Sequence, residues 1–207
     1  MTRPDNPAEM EEYVAPRYPG ALSPVAEVRS TILVSGIQAL RSRGLYERYV
    51  AALSPSVREK MQALVPGEWL PIEIGLEHYW AADKLALEPR VIEGIGVEVA
   101  ERINKSVLSV AVQLSRRVGV TPWSALSLVH RINDLNWRGG DIAVYKTGPK
   151  EALYEWLGQP CASIPYFMTS FGGYLRALAS LFSDKAHARP MQERWGPKTV
   201  SYRLSWV

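Results

Sequence analysis

At Gly139-Gly140 the hydrophobic period of this chain changes, and that change limits what it can fold into. Before the pair, apolar residues recur at steps of three and four, the spacing of one helix face. After it, DIAVYK and EALYEW alternate, and the chain ends in TVSYRLSW. There Val200, Tyr202, Leu204 and Trp206 alternate with Thr199, Ser201, Arg203 and Ser205. Helix-forming and strand-forming stretches are therefore segregated, which predicts an α+β domain: a helical middle region packed on a small antiparallel sheet.

The helical region divides at its punctuation. Ser54-Pro55 predicts a cap and first turn for SVREKMQAL. PIEIGLEHYWAADKLAL predicts a helix over 71–87, closed by Glu88-Pro89. The third segment, 90–118, has the cleanest stripe: Ala100, Ile103, Val107, Val110 and Leu114, with charged residues on the other faces. Gly119 stops it and Thr121-Pro122 opens the next helix. Thr147-Gly148-Pro149-Lys150 reads as a hairpin turn, and PYFMTSFGGYLRALASLF as a helix over 165–182, its Gly172-Gly173 marking close packing or a kink. AHARPMQERW pairs with the last strand across Gly196-Pro197, and Pro190 places it on an edge. Near the start, STILVSG is β-branched and reads as a short strand, so the sheet is expected to combine this N-terminal strand with the C-terminal hairpins. Residues 1–24, rich in proline, read as a flexible arm, leaving 25–207 as one α+β domain.

Composition removes several classes. A net charge of +3 in 207 residues is not the concentrated basic stripe of a nucleic-acid binder. No run approaches ~18 uninterrupted apolar residues, so no membrane association is expected. The N-terminus lacks an apolar signal core, and the single cysteine, Cys161, suits a reducing compartment; a cytoplasmic protein is expected. One cysteine also rules out multi-cysteine metal sites. Phosphate-loop, nucleophile-elbow and zinc-protease motifs are missing, and GIGVE at 94–98 lacks a dinucleotide fingerprint, reading as a helix irregularity or tight helix packing.

The histidines separate by helical position. His130 lies about 200° round from Leu128 and Ile132, with Asp134 four residues on, so it reads as a partly exposed surface residue. His187 joins Lys185 and Arg189 on a solvated strand face. His78 differs: it shares the face of Ile74, Ala82 and Leu85, where an unpaired polar group is costly. It must bond a backbone carbonyl or a buried hydroxyl, or serve as an axial ligand to haem or a polar anchor in an apolar pocket. Tyr79 and Trp80 are candidates to wall such a pocket, and Trp123, one of seven tryptophans, is taken with them as ligand-binding. Cys161, in QPCASIPY, has no assigned base; no catalytic residue and no metal ligand is predicted.

Five stretches carry a resemblance: STILVSGIQAL, VEVAERINKSVLSVAV, RINDLNWRGGDIAVYKTGP, PYF…GGYLRAL and VSYRLSW. Over roughly 30–206 the chain resembles an uncharacterised paralogous family of myxobacteria. That family is similar in fold to haem nitric-oxide-binding sensors and to vinyl-4-reductase-type ligand-binding domains. The resemblance implies helices joined to an antiparallel sheet around an apolar cavity, with haem as a candidate cofactor. The haem sensors' Tyr-x-Ser-x-Arg motif has no match: the nearest strings are Tyr202-Arg203-Leu204-Ser205 and Tyr166-Phe167-Met168-Thr169. Two readings follow. The first is a non-enzymatic sensor or regulatory domain that binds an apolar small molecule or relays a signal by protein contact. The second is an interaction module, a homodimer whose interior is filled by its own side chains, marked by the lack of a cavity above ~300 Å³.

Overall fold

The computed structural model describes residues 12–15, 23–107, 121–127, 129–194 and 196–207, with backbone alone for 12–15, 104–107, 124–125 and 193. The architecture is α+β, with antiparallel sheets of five and three strands. The larger sheet runs β1 (Glu12–Ala15), β5 (Asp141–Gly148), β6 (Glu151–Leu157), β8 (Thr199–Trp206) and β7 (Ala186–Pro190). The smaller runs β3 (Trp69–Pro71), β2 (Glu27–Arg29) and β4 (Trp137–Arg138).

Both predicted hairpins form, and the alternation sets their register. Ile142, Trp156 and Val200 stand in one cross-strand row, and Val144, Tyr154 and Tyr202 in the next. All six are buried, so this face lies on the core. Pro190 does end an edge strand, where its missing N–H costs no ladder bond. The opposite face is less solvated than its alternation suggests. Glu155 and Ser201, paired across β6 and β8, are buried, and Arg194 bonds the Glu155 carboxylate at 3.0 Å.

The helices are α1 (Ser30–Arg41), α2 (Tyr46–Ala52), α3 (Pro55–Gln62), α4 (Ile72–Asp83), α5 (Pro89–Val107), α6 (Pro122–Leu126), α7 (Val129–Asp134) and α8 (Pro165–Ser180). One assignment is corrected: STILVSG is the first half of α1, not a strand. Its residues Ile32, Leu33, Ile37 and Leu40 are all buried at helical spacing, and that burial outweighs the β preference of Thr31, Ile32 and Val34. The strand of this region is the shorter β2 just before it. The N-terminal strand of the large sheet is β1, which pairs with β5 from within the proline-rich arm. On α5, Ala100 is buried and Ile103 packs against the core. The stripe's continuation at Val110 and Leu114, and the stop at Gly119, lie outside the described residues.

Helix α8 lies over the buried face of the large sheet, and α5 packs along α8. Glycines make this approach possible. A Cβ at Gly96 would sit 1.7 Å from the Ser170 carbonyl oxygen, and one at Gly173 would sit 2.1 Å from that of Glu93. The glycines of GIGVE and of FGGY thus include one close-packing residue on each helix.

Candidate functional site

The tight α5–α8 contact forms one side of an apolar pocket. Ile32 and Gly36 of α1, His78 and Tyr79 of α4, and Ile95 and Val99 of α5 line it. Trp137 of β4 and a row from α8 (Tyr166, Phe167, Ser170, Phe171, Tyr174) close it. The row follows from helical spacing: Phe167, Phe171 and Tyr174 fall at i, i+4 and i+7 on one face. Their rings stack, with centroids 5.6 Å apart for Phe167 and Phe171 and 5.7 Å apart for Phe171 and Tyr174. The volume left is small, about 40 Å³. That is room for about three waters, at the ~10–15 Å³ each requires.

His78 is 2% exposed, and its Nδ1 lies 2.9 Å from the Tyr49 hydroxyl of α2. The buried hydroxyl anticipated for a core histidine is therefore supplied, from 29 positions away. Burial lowers the His78 pKa from 6.5 to about 3, so the ring is neutral at pH 7. Its Nε2 faces α1 across Gly36, where a Cβ would lie 2.9 Å away. Only glycine lets the α1 backbone pass so close to the ring.

Tyr166 is placed by α4. The Asp83 carboxylate accepts a 2.8 Å hydrogen bond from the Tyr166 backbone N–H, capping an exposed donor at the start of α8. The side chain then turns inward and is 1% exposed. Its hydroxyl is buried and has no hydrogen-bond partner among the described residues. Ser170, by contrast, spends its hydroxyl on the Phe167 carbonyl at 3.1 Å. Burial raises the phenol pKa of Tyr79, Tyr166 and Tyr174, that of Tyr174 to about 12. The pocket is thus uncharged at neutral pH: aromatic walls, a neutral imidazole and neutral phenols.

Of the sequence candidates, His78 and Tyr79 come together here. Their rings meet edge-on with centroids 5.0 Å apart. Trp80 is 47% exposed and is not part of the lining. Trp123 packs edge-on against Trp206 at 4.7 Å and donates from Nε1 to the Pro149 carbonyl at 3.1 Å. His130 is half-buried on α7, and His187 is exposed on β7 with Lys185 and Arg189. Cys161 is fully buried, and burial pushes its thiol pKa up. No cluster of three or more potential metal ligands occurs among the described residues. The residues that sequence reasoning missed are Gly36, Tyr49 and Tyr166. Only the i, i+4, i+7 aromatic row on α8 left a readable signal.

No family model matches the chain, and no curated protein matches it. Solved structures do. A crystal structure of an Fe(II) unliganded H-NOX mutant from K. algicida aligns with a TM-score of 0.62 at 9% identity, over 86% of this chain and 96% of that one. An H-NOX mutant of T. tengcongensis aligns at 0.57 and 11%, over 86% and 96%. An oxygen-binding H-NOX domain related to soluble guanylate cyclases aligns at 0.56 and 12%, over 86% and 94%. At these identities the likeness is one of fold, and across most of its length this chain has the fold of the H-NOX domains, the haem nitric-oxide-binding sensors of the sequence resemblance.

Proposed function

We propose that this chain is a non-enzymatic sensor domain built on the H-NOX fold, whose central pocket takes an apolar molecule of a few heavy atoms in place of haem. The observation that carries this reading is the pocket itself: apolar, lined from α1, α4, α5, β4 and α8, with His78 and Tyr166 as its polar points. Such a constellation is a ligand-site geometry in miniature.

Haem, the group whose distortion is probed in solved H-NOX structures of this fold, does not fit the described residues. A porphyrin needs several hundred Å³, by the scale of ~300–1,000 Å³ for drug-sized ligands, and the pocket has about 40 Å³. The His78 Nε2 faces the α1 backbone at Gly36, where an added Cβ would lie 2.9 Å away, so that side of the ring has no room for a large planar group. Nor do the described residues around the pocket form a catalytic set. Cys161 is an inaccessible thiol, and the phenols and imidazole facing the cavity are neutral and held so by burial.

The small volume also favours a second reading, an interaction module whose interior is filled by its own aromatic side chains. Xenon discriminates between them. Methyl resonances of Ile32, Ile95 and Val99 are followed under xenon pressure, in wild type and in Val99→Phe, which fills the pocket. Saturable shifts in wild type that vanish in the variant support the ligand pocket. No shift, together with a dimer by native mass spectrometry, selects the interaction module. A stoichiometric Soret band after addition of hemin would overturn the haem-free reading.

A further inference from the structure

Strand β7 ends the order of the large sheet, with no strand beyond it among the described residues. The Met191 N–H donates to the Ser201 carbonyl at 2.9 Å, and the Val207 N–H donates to that of Lys185 at 3.0 Å. Antiparallel ladders alternate, so the backbones of His187 and Arg189 face β8 too, and those of Ala186 and Ala188 face outward. The N–H and C=O groups of both alanines thus lie along the free edge, and Pro190 closes it. The side chains divide by the same alternation. Ala186 and Ala188 pack inward against the core, whereas Lys185, His187 and Arg189 are exposed on the outer face. None of the three pairs with a carboxylate among the described residues. Arg189 stands directly opposite Arg203 of β8, a like-charge pair that is unfavourable in the free protein. The carboxylates of β6 are engaged: Glu151 lies 3.5 Å from Arg203, and Glu155 bonds Arg194. Asp184, exposed just ahead of β7, is the acid nearest the row in sequence.

We propose that β7 takes up an additional strand: an extended acidic segment of a protein partner, its main chain on the free edge and its carboxylates along the outer face. The spacing carries the choice of partner. Alternate residues of a strand lie about 6.7 Å apart, so Lys185, His187 and Arg189 match carboxylates at every second position of an extended chain. A single phosphate group engages only the Arg189–Arg203 end of this row. A second copy of β7 would set lysine and arginine against the same residues, a repulsive contact. Charge and proline on an edge also guard against aggregation. Here the guard has one sign, so it rejects basic and apolar strands and admits acidic ones. The edge lies outside the central pocket, and its occupation does not depend on what the pocket holds.

Two acetylated peptides of one composition test this. One alternates glutamate with threonine, and the other carries its glutamates in a block. Both are titrated into nitrogen-15-labelled protein at low ionic strength. The alternating peptide is expected to shift the Ala186 and Ala188 amides and to bind at least about threefold more tightly than the block. Lys185→Ser with Arg189→Ser is expected to weaken it about three- to tenfold, the size of two exposed ion pairs. Lys60→Ser, which removes an exposed charge on α3, is expected to leave it unchanged. Ala188→Pro deletes an outward N–H, which an edge strand tolerates, and is expected to weaken the alternating peptide about tenfold. The wild-type amide shifts need no variant, so they decide the matter if that one does not fold. Equal binding of the two peptides, or binding that leaves both alanine amides still, overturns strand addition. An equal loss in Lys60→Ser overturns the assignment to β7. Binding of phosphatidylserine vesicles or inorganic phosphate without binding of the alternating peptide overturns the protein partner. No binding of any of these probes overturns the proposal outright.

Discussion

The Cβ that Gly96 lacks would lie 1.7 Å from the carbonyl oxygen of Ser170, so α5 and α8 meet backbone to backbone at this point. Nothing larger than glycine fits without moving a helix, and both helices line the pocket. Gly96→Ala is therefore expected to destabilise the domain by about 3 kcal/mol, at the upper end for overpacked sites. Two positions earlier, Gly94→Ala meets only the tip of Arg43 at 3.7 Å and is expected to be neutral or stabilising by up to ~1 kcal/mol. Chemical denaturation of the two variants checks the contrast. Equal midpoints would remove the close helix contact.

The Tyr49–His78 bond satisfies a histidine that has no access to solvent. Tyr49→Phe keeps the ring and deletes the hydroxyl, leaving Nδ1 without its partner. The expected loss is about 1–3 kcal/mol, read as a lowered denaturation midpoint at pH 7. A midpoint equal to wild type would mean that the bond does not form in solution.

His78 also makes stability depend on pH in a definite direction. Burial lowers its pKa to about 3 in the fold, against 6.5 in the open chain. Below pH 6.5 the unfolded chain takes up a proton that the folded chain refuses. The contribution is therefore whole above pH 6.5 and is lost as pH falls towards about 3, with a slope approaching ~1.4 kcal/mol per pH unit. The tyrosines beside it have raised pKa values and do not titrate in this window. Denaturation midpoints of wild type and His78→Gln between pH 7.5 and 4 isolate the effect. The expectation fails if the two show the same slope.

Cys161 is closed off in the core, and burial raises its thiol pKa. Iodoacetamide at pH 8 is expected to leave it untouched in the native protein and to modify it promptly in denaturant. Rapid native labelling would place it in an accessible cleft and reopen an enzymatic reading.

Local patterns were legible where one period dominated. TVSYRLSW showed its buried face because Val200, Tyr202, Leu204 and Trp206 recur at a period of two, and the structure buries all four. The proline starts of α3, α4, α6 and α8 were readable for the same local reason, whereas α4 ends at Asp83, short of the expected stop at Glu88-Pro89. STILVSG was misread because propensity is a weak preference. Its helix is stabilised by burying Ile32, Leu33 and Ile37, which belongs to packing and not to the segment. The small sheet of β2, β3 and β4 escaped because strands of two or three residues have no period to detect.

The candidate site divides along the same line. That His78 had to be buried and bonded followed from its position on an apolar helix face. That Tyr49 is its partner, that Gly36 lies over its Nε2 and that Tyr166 lines the same pocket are relationships between segments far apart in the chain. By itself, then, the sequence determined the segregation of a helical middle from strand-rich C-terminal hairpins, the inward face of the last strand, and the burial of one histidine. Only the tertiary structure decided which groups meet and how much space remains between them. Periodicity is a property of neighbours along the chain, whereas a pocket is the remainder after distant surfaces have packed.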